Sequence, residues 1–180
     1  MRLDPVIGIL LLASFAILFA SAALHKWRDR QRFAQVFAAY GLLPPAASLR
    51  VHWLVPLLET AVVLGLLPSS TRAYACSAGI VLLLSYAGAM ALNLGRGRRD
   101  IACGCGGPDE QRPIAAWMVW RNLLLAALLA SALWPRNQRA LLPTDWLTIG
   151  FGIAASVVVY LCFDRLGQVL RQARALQGTR

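Results

Sequence analysis

Charged side chains are scarce in this chain of 180 residues. They make up 14% of it, whereas hydrophobic residues make up 58%; an average soluble domain has roughly 25% charged residues. Intrinsic disorder is excluded, because a disordered chain is rich in charge and poor in apolar residues. A soluble globular domain is disfavoured as well, since so few charges do not cover its surface. The composition predicts an integral membrane protein, with residues 1–180 forming a single membrane domain.

Acidic residues are especially few, with 8 Asp and Glu against 18 Lys and Arg and a net charge of +10. In a soluble protein such an excess would suggest nucleic acid as the partner. Here the basic residues lie between apolar runs, where phospholipid headgroups are the expected partners. We therefore expect contact with the lipid membrane and none with nucleic acid.

The sequence contains several long apolar runs. About 20 apolar residues of helix cross a bilayer core, and spanning segments are helical because lipid offers the backbone no hydrogen-bond partners. Five runs are predicted to span the membrane: 5–24, 51–67, 74–94, 114–134 and 146–163. The predicted fold class is all-α, a polytopic membrane helical bundle with a four-helix core and a fifth span.

The connections between these runs differ in character. Residues 26–40 place Trp27, Phe33 and Tyr40 on one helical face, which is typical of an amphipathic helix in the headgroup plane. Gly41 and the prolines that follow are expected to end this helix. Residues 68–71 predict a tight turn between the second and third runs, and the tail after 164 is predicted to continue the last helix. Residues 95–113 form a polar, glycine-rich segment, called the CGC loop below.

Cysteine is rare as well, with four residues in the chain. Cys76 and Cys162 lie within apolar runs, where the simplest interpretation is a small buried side chain. Cys103 and Cys105 lie in the CGC loop, and two residues at this spacing bring their α-carbons near the disulfide range of roughly 4.4–6.8 Å. So small a ring is strained and exchanges readily, and Gly104 permits the backbone angles that it needs.

Positive charge from Arg96, Arg98 and Arg99 precedes the cysteine pair and favours the thiolate, although Asp100 partly cancels it. A zinc or iron–sulfur site needs about four ligands, and the two histidines of the chain lie far away in sequence, so no metal is expected. A purely structural bridge would stabilise little, because it closes a tiny loop. The residues favour Cys103 and Cys105 as a catalytic dithiol–disulfide pair.

A few polar side chains interrupt the apolar runs. Glu59 lies in the middle of the second run, and an ionised carboxylate there needs a partner. Arg121 in the fourth run is the expected partner, and Asn93 and Asn122 extend the network, whereas Lys26 is expected to reach the headgroups. Two interpretations stay open: a structural ion pair that fixes how two helices pack, or a proton or quinone site formed by Glu59, Arg121 and Asn93.

Three polar segments around the cysteines form a specific series. They are Asn93-Leu94-Gly95-Arg96-Gly97-Arg98, Ile101-Ala102-Cys103-Gly104-Cys105-Gly106-Gly107 and Arg121-Asn122-Leu123. The series resembles the MauE family of methylamine utilisation membrane proteins, in the MauE/DoxX group. Other landmarks of the group are similar in His25-Lys26, Tyr40-Gly41-Leu42-Leu43-Pro44 and Leu54-Val55-Pro56-Leu57-Leu58-Glu59. Ala102 and Gly106 depart from the family pattern, which has Asp and often Phe there, but neither departure removes a thiol.

The resemblance implies a protein of the bacterial inner membrane that works with a periplasmic thioredoxin-like partner, MauD. Together they would form disulfides in the small subunit of methylamine dehydrogenase, which carries the cofactor tryptophan tryptophylquinone. For this chain we expect no covalently bound cofactor, and a membrane quinone is the candidate electron acceptor. In architecture alone, the layout also resembles the membrane thiol oxidases of the vitamin K epoxide reductase and DsbB type.

Charge and resemblance disagree about the side of the membrane that the CGC loop faces. With a cytoplasmic N-terminus, a periplasmic CGC loop places most of the 18 basic residues outside, contrary to the positive-inside rule. The first hypothesis is a membrane thiol–disulfide oxidoreductase with a periplasmic CGC loop. The alternatives are a cytoplasm-facing relay of reducing equivalents and a non-catalytic membrane anchor for the thioredoxin-like partner.

Overall fold

A computed structural model describes residues 3–104, 113–135, 137 and 139–177; beyond 162 it describes side chains only at 165, 166 and 169. Every regular element among these residues is a helix, so the predicted all-α fold class is confirmed. The helices are α1 (Pro5–Arg28), α2 (Arg30–Ala39), α3 (Pro45–Val51), α4 (Leu54–Leu66), α5 (Arg72–Gly95), α6 (Ala116–Ser131) and α7 (Pro143–Gln177).

Four helical segments in the described part are long and apolar enough to cross a membrane. They are Pro5–Arg28, Pro45–Leu66, Arg72–Gly95 and Pro143–Cys162. The run 114–134 forms α6, which is apolar but only 16 residues long. At 1.5 Å per residue it measures about 24 Å, less than the roughly 30 Å of a bilayer core.

The chain divides into two compact units, Met1–Ser14 with Pro135–Arg180 and Phe15–Trp134. In the first unit, Arg139 forms ion pairs with Asp4 at 2.9 Å and with Asp145 at 2.6 Å. These pairs join the residue before α1 to the first turn of α7, which continues through the tail as predicted. The second unit contains the CGC loop and the candidate site.

Small residues let the helices of the second unit approach closely. The predicted hairpin of α4 and α5 is confirmed, and its turn is fixed by Thr71 Oγ1, which donates a hydrogen bond to the Gly65 carbonyl at 2.8 Å. A Cβ atom on Gly79 of α5 would lie 2.8 Å from Leu129 and 3.2 Å from Phe19. Helices α1, α5 and α6 therefore meet at Gly79, where a larger residue would push them apart.

The first apolar helix continues further than the hydrophobic run. Helix α1 ends at Arg28, and Asp29 caps α2 by accepting a hydrogen bond from the Arg32 amide at 3.1 Å. The amphipathic helix thus begins later than the predicted residue 26, because the capping carboxylate of Asp29 marks its start. It ends as predicted, at Gly41, whose φ of 60° lies in the left-handed region, and Pro45 then begins α3.

Candidate functional site

The described part of the CGC loop is fixed at its base. The Ile114 amide donates a hydrogen bond to the Ile101 carbonyl at 2.9 Å, and Ala102 and Pro113 form an isolated antiparallel bridge. Both isoleucines are buried in a cluster with Met90 of α5. The loop therefore leaves and re-enters the helical core through one anchored pair of strand-like segments.

Cys103 lies just beyond this base and is disulfide-bonded. Its side chain packs against the buried cluster around Met90, while Cys105, the other predicted catalytic residue, lies outside the described residues. Gly104 follows with φ 65°, and a Cβ atom there would lie 2.8 Å from Val36 of α2. Only glycine fits both this backbone conformation and this close approach.

The two cysteines of the apolar runs differ from each other. Cys76 is fully buried in α5, as predicted, whereas Cys162 is exposed on α7. The prediction of a buried Cys162 is therefore wrong, because α7 presents most of its spanning segment on the surface of the protein.

Arg98 and Tyr40 join α2 to the CGC loop. The Arg98 guanidinium donates to the Ala39 carbonyl at 2.8 Å, to the Tyr40 carbonyl at 3.4 Å and to Asn93 Oδ1 at 3.2 Å. The Tyr40 hydroxyl donates to the Cys103 carbonyl at 3.0 Å. Burial raises the pKa of Tyr40 to about 12, so its hydroxyl keeps its proton and this hydrogen bond at neutral pH.

A buried ion pair joins α1 to α4. Lys26 Nζ donates to Glu59 Oε1 at 2.7 Å, and the Tyr86 hydroxyl donates to the same oxygen at 2.7 Å. Glu59 is 0% exposed and Lys26 is 3% exposed. Glu59 Oε2 has no hydrogen-bond partner among the residues that the structure describes.

Two predictions about these charges are wrong. Glu59 is paired with Lys26 rather than with Arg121, and Lys26 does not reach the headgroups. The reason is that α1 continues to Arg28, so that Lys26 lies inside a packed helix instead of at its free end.

The three predicted cofactor residues lie in different surroundings. Glu59 binds Lys26, and Asn93 supports Arg98 at the start of the CGC loop. Arg121 is buried on α6, with its guanidinium 5.2 Å from the ring centroid of Trp117. Their role in cofactor binding stays a prediction.

An apolar cavity of about 90 Å³ lies between α2 and the CGC loop. Its walls are mainly apolar and aromatic, and they include Phe33, Val36, Phe37, Leu43, Val55 and Met90. Cys103 and Lys26 both line it, whereas Glu59, Asn93 and Arg121 are not among its described lining residues. The cavity therefore connects a disulfide-bonded cysteine to a buried ammonium group.

The sequence did not indicate that Lys26 and Tyr86 belong to this region, and it indicated Arg98 only as a positive charge near the cysteines. One signal was present, because Tyr86, Met90 and Asn93 recur at spacings of four and three residues and so share one face of α5. That face points to the loop and the cavity.

These features define a class: a multi-pass α-helical membrane protein with a disulfide-bonded cysteine at the edge of an apolar cavity. The family model described as Methylamine utilisation protein MauE matches residues 4–135. The chain belongs to the MauE family.

Curated relatives carry the same description. The chain is 37% identical over 155 residues to Methylamine utilization protein MauE of Paracoccus denitrificans, covering 84% of this chain and 82% of the relative. It is 35% identical over 162 residues to that of Paracoccus versutus, covering 89% and 85%. It is 34% identical over 126 residues to that of Methylophilus methylotrophus, covering 69% and 66%. No solved structure shows a significant similarity to the chain.

Proposed function

We propose that this protein is a membrane thiol–disulfide oxidoreductase of methylamine utilisation, in which Cys103 and Cys105 alternate between disulfide and dithiol. The observation that carries the proposal is the disulfide-bonded, half-buried Cys103 in a loop with an anchored base. A disulfide in such a position is open to a protein thiol, while the fixed base keeps it in place.

The redox step transfers two electrons from a partner protein. A thiolate of the partner attacks one sulfur of the disulfide, forms a mixed disulfide and releases the other sulfur as a thiolate. The second thiolate of the partner then attacks the mixed disulfide. The partner leaves oxidised, and Cys103 and Cys105 hold the two electrons and, as thiols, two protons. A membrane quinone accepts the two electrons and the two protons, and the disulfide forms again.

The partner in this proposal is the thioredoxin-like protein MauD, and the final client is the small subunit of methylamine dehydrogenase. Family membership supports this assignment, since the relatives are methylamine utilisation proteins by name. An open groove of about 560 Å³ between α2 and the CGC loop has a mainly apolar lining, and its polar residues Gln35, Arg98 and Asp100 offer hydrogen-bonding groups to a docked protein.

The proposed location is the bacterial inner membrane, with the CGC loop in the periplasm. A disulfide-bonded Cys103 supports this side, because disulfides persist in oxidising compartments and are rare in the cytosol. A reductant relay in the cytoplasm would instead require that the two cysteines are kept as thiols.

Single-cysteine variants test the proposal in cells that produce the full-length protein together with the partner and the dehydrogenase. Cys103→Ser and Cys105→Ser are expected to leave the partner's cysteines reduced, as measured by alkylation and gel shift. Cys162→Ser is the matched control, because it removes an exposed cysteine of α7 outside the CGC loop. An oxidised partner and normal client disulfides in both loop variants would overturn the redox proposal. If the partner still co-purifies with them, the anchor hypothesis takes its place.

A further inference from the structure

Lys26 is the single lysine of the chain, and it lines the same cavity as Cys103. It is 3% exposed, although an ammonium group buried near apolar side chains loses its hydration. Membrane helices retain such a charge where it is paired and where it has a function. The pairing with Glu59 meets the first condition, and the position beside the cavity points to the second.

The ammonium group is held in a defined place. Glu59 accepts one hydrogen bond from it at 2.7 Å, and Nζ lies 5.5 Å from the ring centroids of Phe33 and Tyr86, which both line the cavity. An ammonium group has three N–H donors, so donors remain for an acceptor inside the cavity. The unpartnered Glu59 Oε2 in the described part of the chain is a second sign of an incomplete polar site.

The cavity opens toward the connection between α2 and α3. Leu42 and Leu43 line it and are nevertheless 46% and 43% exposed. Exposed leucines at the mouth of an apolar cavity suit a ligand that arrives from the lipid rather than from water. At about 90 Å³ the cavity is smaller than the roughly 150 Å³ that admits benzene. A whole ring therefore needs more space than this structure shows, and the residues at the mouth of the cavity are the exposed Leu42 and Leu43.

We propose that this cavity binds the ring of a membrane quinone and that Lys26 donates a hydrogen bond to a ring oxygen. The proposal rests on the proposed redox function and assigns its electron-acceptor site. The walls match an apolar planar ring, the buried ammonium matches a carbonyl oxygen that becomes more negative on reduction, and Cys103 borders the same space. Glu59 is the positioning residue that holds Lys26.

The reaction at this site balances as a two-electron exchange. The thiols of Cys103 and Cys105 lose two electrons and two protons as the sulfur–sulfur bond forms. The quinone gains both electrons, and its two oxygens each gain one proton. The quinol then leaves through the Leu42–Leu43 mouth into the lipid.

Equilibrium titration of the full-length protein in lipid nanodiscs with a short-chain ubiquinone analogue and a short-chain menaquinone analogue tests this assignment. Ala89→Leu adds bulk to a lining residue, and Lys26→Met removes the donor. Each is expected to weaken binding about tenfold, the effect of losing roughly 1.4 kcal/mol of contact energy. Lys26→Arg is expected to retain most of the affinity. Gly88→Leu is the matched control, since a Cβ atom there meets nothing within 4 Å.

Wild-type affinity in both Ala89→Leu and Lys26→Met, or no quinone binding by the wild-type protein, would overturn the proposal. Ala89→Leu leaves the ion pair intact, so it remains informative if Lys26→Met does not fold. The two proposals fail differently. If the wild-type protein oxidises its partner but binds no quinone, only the cavity assignment fails. If Cys103→Ser binds quinone and also leaves the partner oxidised, only the redox function fails.

Discussion

At the scale of single residues, the Tyr40 hydroxyl supports the carbonyl of Cys103. Tyr40→Phe removes this donor and costs about 1 kcal/mol. We expect a small dithiol to reduce the Cys103 disulfide several-fold faster in the variant at neutral pH, as measured by an alkylation time course. Tyr74→Phe is the control, because that side chain is exposed on α5. Equal rates in wild type and Tyr40→Phe would contradict the prediction.

The effect of Tyr40→Phe on the free energy of unfolding is also expected to depend on pH. Burial raises the pKa of Tyr40 from 10.0 to about 12. A group whose pKa is higher in the folded state contributes its full stabilisation below the pKa of the unfolded state. This contribution is lost as the pH rises through the pKa of the folded state. The difference in free energy of unfolding between wild type and Tyr40→Phe is therefore constant up to about pH 10, and it falls between about pH 10 and about pH 12. Thermal unfolding scans across this range measure it.

The buried pair of Lys26 and Glu59 predicts a strong non-additivity. Glu59→Gln leaves the ammonium buried without its carboxylate, and breaking a buried pair from one side costs about 3–5 kcal/mol. The double variant Lys26→Met/Glu59→Gln removes both charges, and we expect it to recover much of the loss. The free energy of unfolding is measured in one detergent for four proteins: wild type, Lys26→Met, Glu59→Gln and the double variant.

An exposed ion pair provides the control for this cycle. Asp4→Asn removes one partner of Arg139, whose side chain is 38% exposed, and it is expected to change stability far less because solvent screens the pair. Additive effects of Lys26→Met and Glu59→Gln would show that the two residues are not coupled.

At the scale of elements, Gly41 determines how α2 meets the CGC loop. Gly41→Ala forces a side chain into the left-handed region at φ 60° and places its Cβ 2.9 Å from Arg98 Nη1. We expect Arg98 to lose its hydrogen bonds to α2, with faster amide hydrogen exchange at 39–41 and a lower unfolding temperature.

Gly97→Ala distinguishes the effect of backbone strain from the effect of the steric contact with Arg98. Gly97 has φ 75°, and a Cβ atom there meets nothing within 4 Å, so this variant carries only the backbone strain of roughly 1–2 kcal/mol. Gly41→Ala is expected to be the more destabilised of the two. Equal unfolding temperatures would mean that the Arg98 contact contributes nothing.

The sequence predicts elements better than side-chain partners, for a physical reason. The apolar runs correctly indicated α1, the α4–α5 hairpin and the continuation of α7, since lipid requires long apolar helices. The partner of Glu59 depends instead on where α1 ends and which face it turns toward α4. An apolar run that stops at Leu24 does not show that α1 continues to Arg28.

The candidate site was recognisable only in part. Cys103 and Gly104 stood out in the sequence because cysteine chemistry and glycine conformation depend on local spacing, whereas the role of the cysteine pair stays a prediction. The cavity was not recognisable, because it is formed by α1, α2, the connection from α2 to α3, α4, α5 and the CGC loop together. Residues 26–40 were interpreted as an amphipathic helix in the headgroup plane, and that pattern did not reveal that Phe33 and Val36 line the cavity.

At the scale of the whole molecule, much of the apolar surface of the described spans is exposed. Phe151, Val158 and Val159 of α7 are among the exposed large hydrophobic residues. In water such a surface would be an aggregation hazard, whereas in a bilayer it faces lipid. The protein therefore presents to lipid an apolar surface that the 14% of charged residues leaves largely uninterrupted.

Sidedness is the prediction on which charge and chemistry disagree. In the five-span layout, a CGC loop in the periplasm places the connection between α6 and α7 in the cytoplasm. Two single-cysteine proteins test this in intact cells. One retains only Cys103, and the other carries Leu142→Cys in a background without the native cysteines; Leu142 is 60% exposed. A membrane-impermeant maleimide is expected to label Cys103 directly and Leu142→Cys only after permeabilisation.

The reverse labelling pattern would mean that the positive-inside rule determines the topology. The disulfide would then face a reducing compartment, where it does not persist, and the oxidase function would fail with it. Labelling of both positions before permeabilisation would show that α6 does not cross, which its length of 16 residues makes a specific alternative. In that case Cys103 would still face the periplasm, so the proposed function depends on the position of the CGC loop rather than on the number of spans.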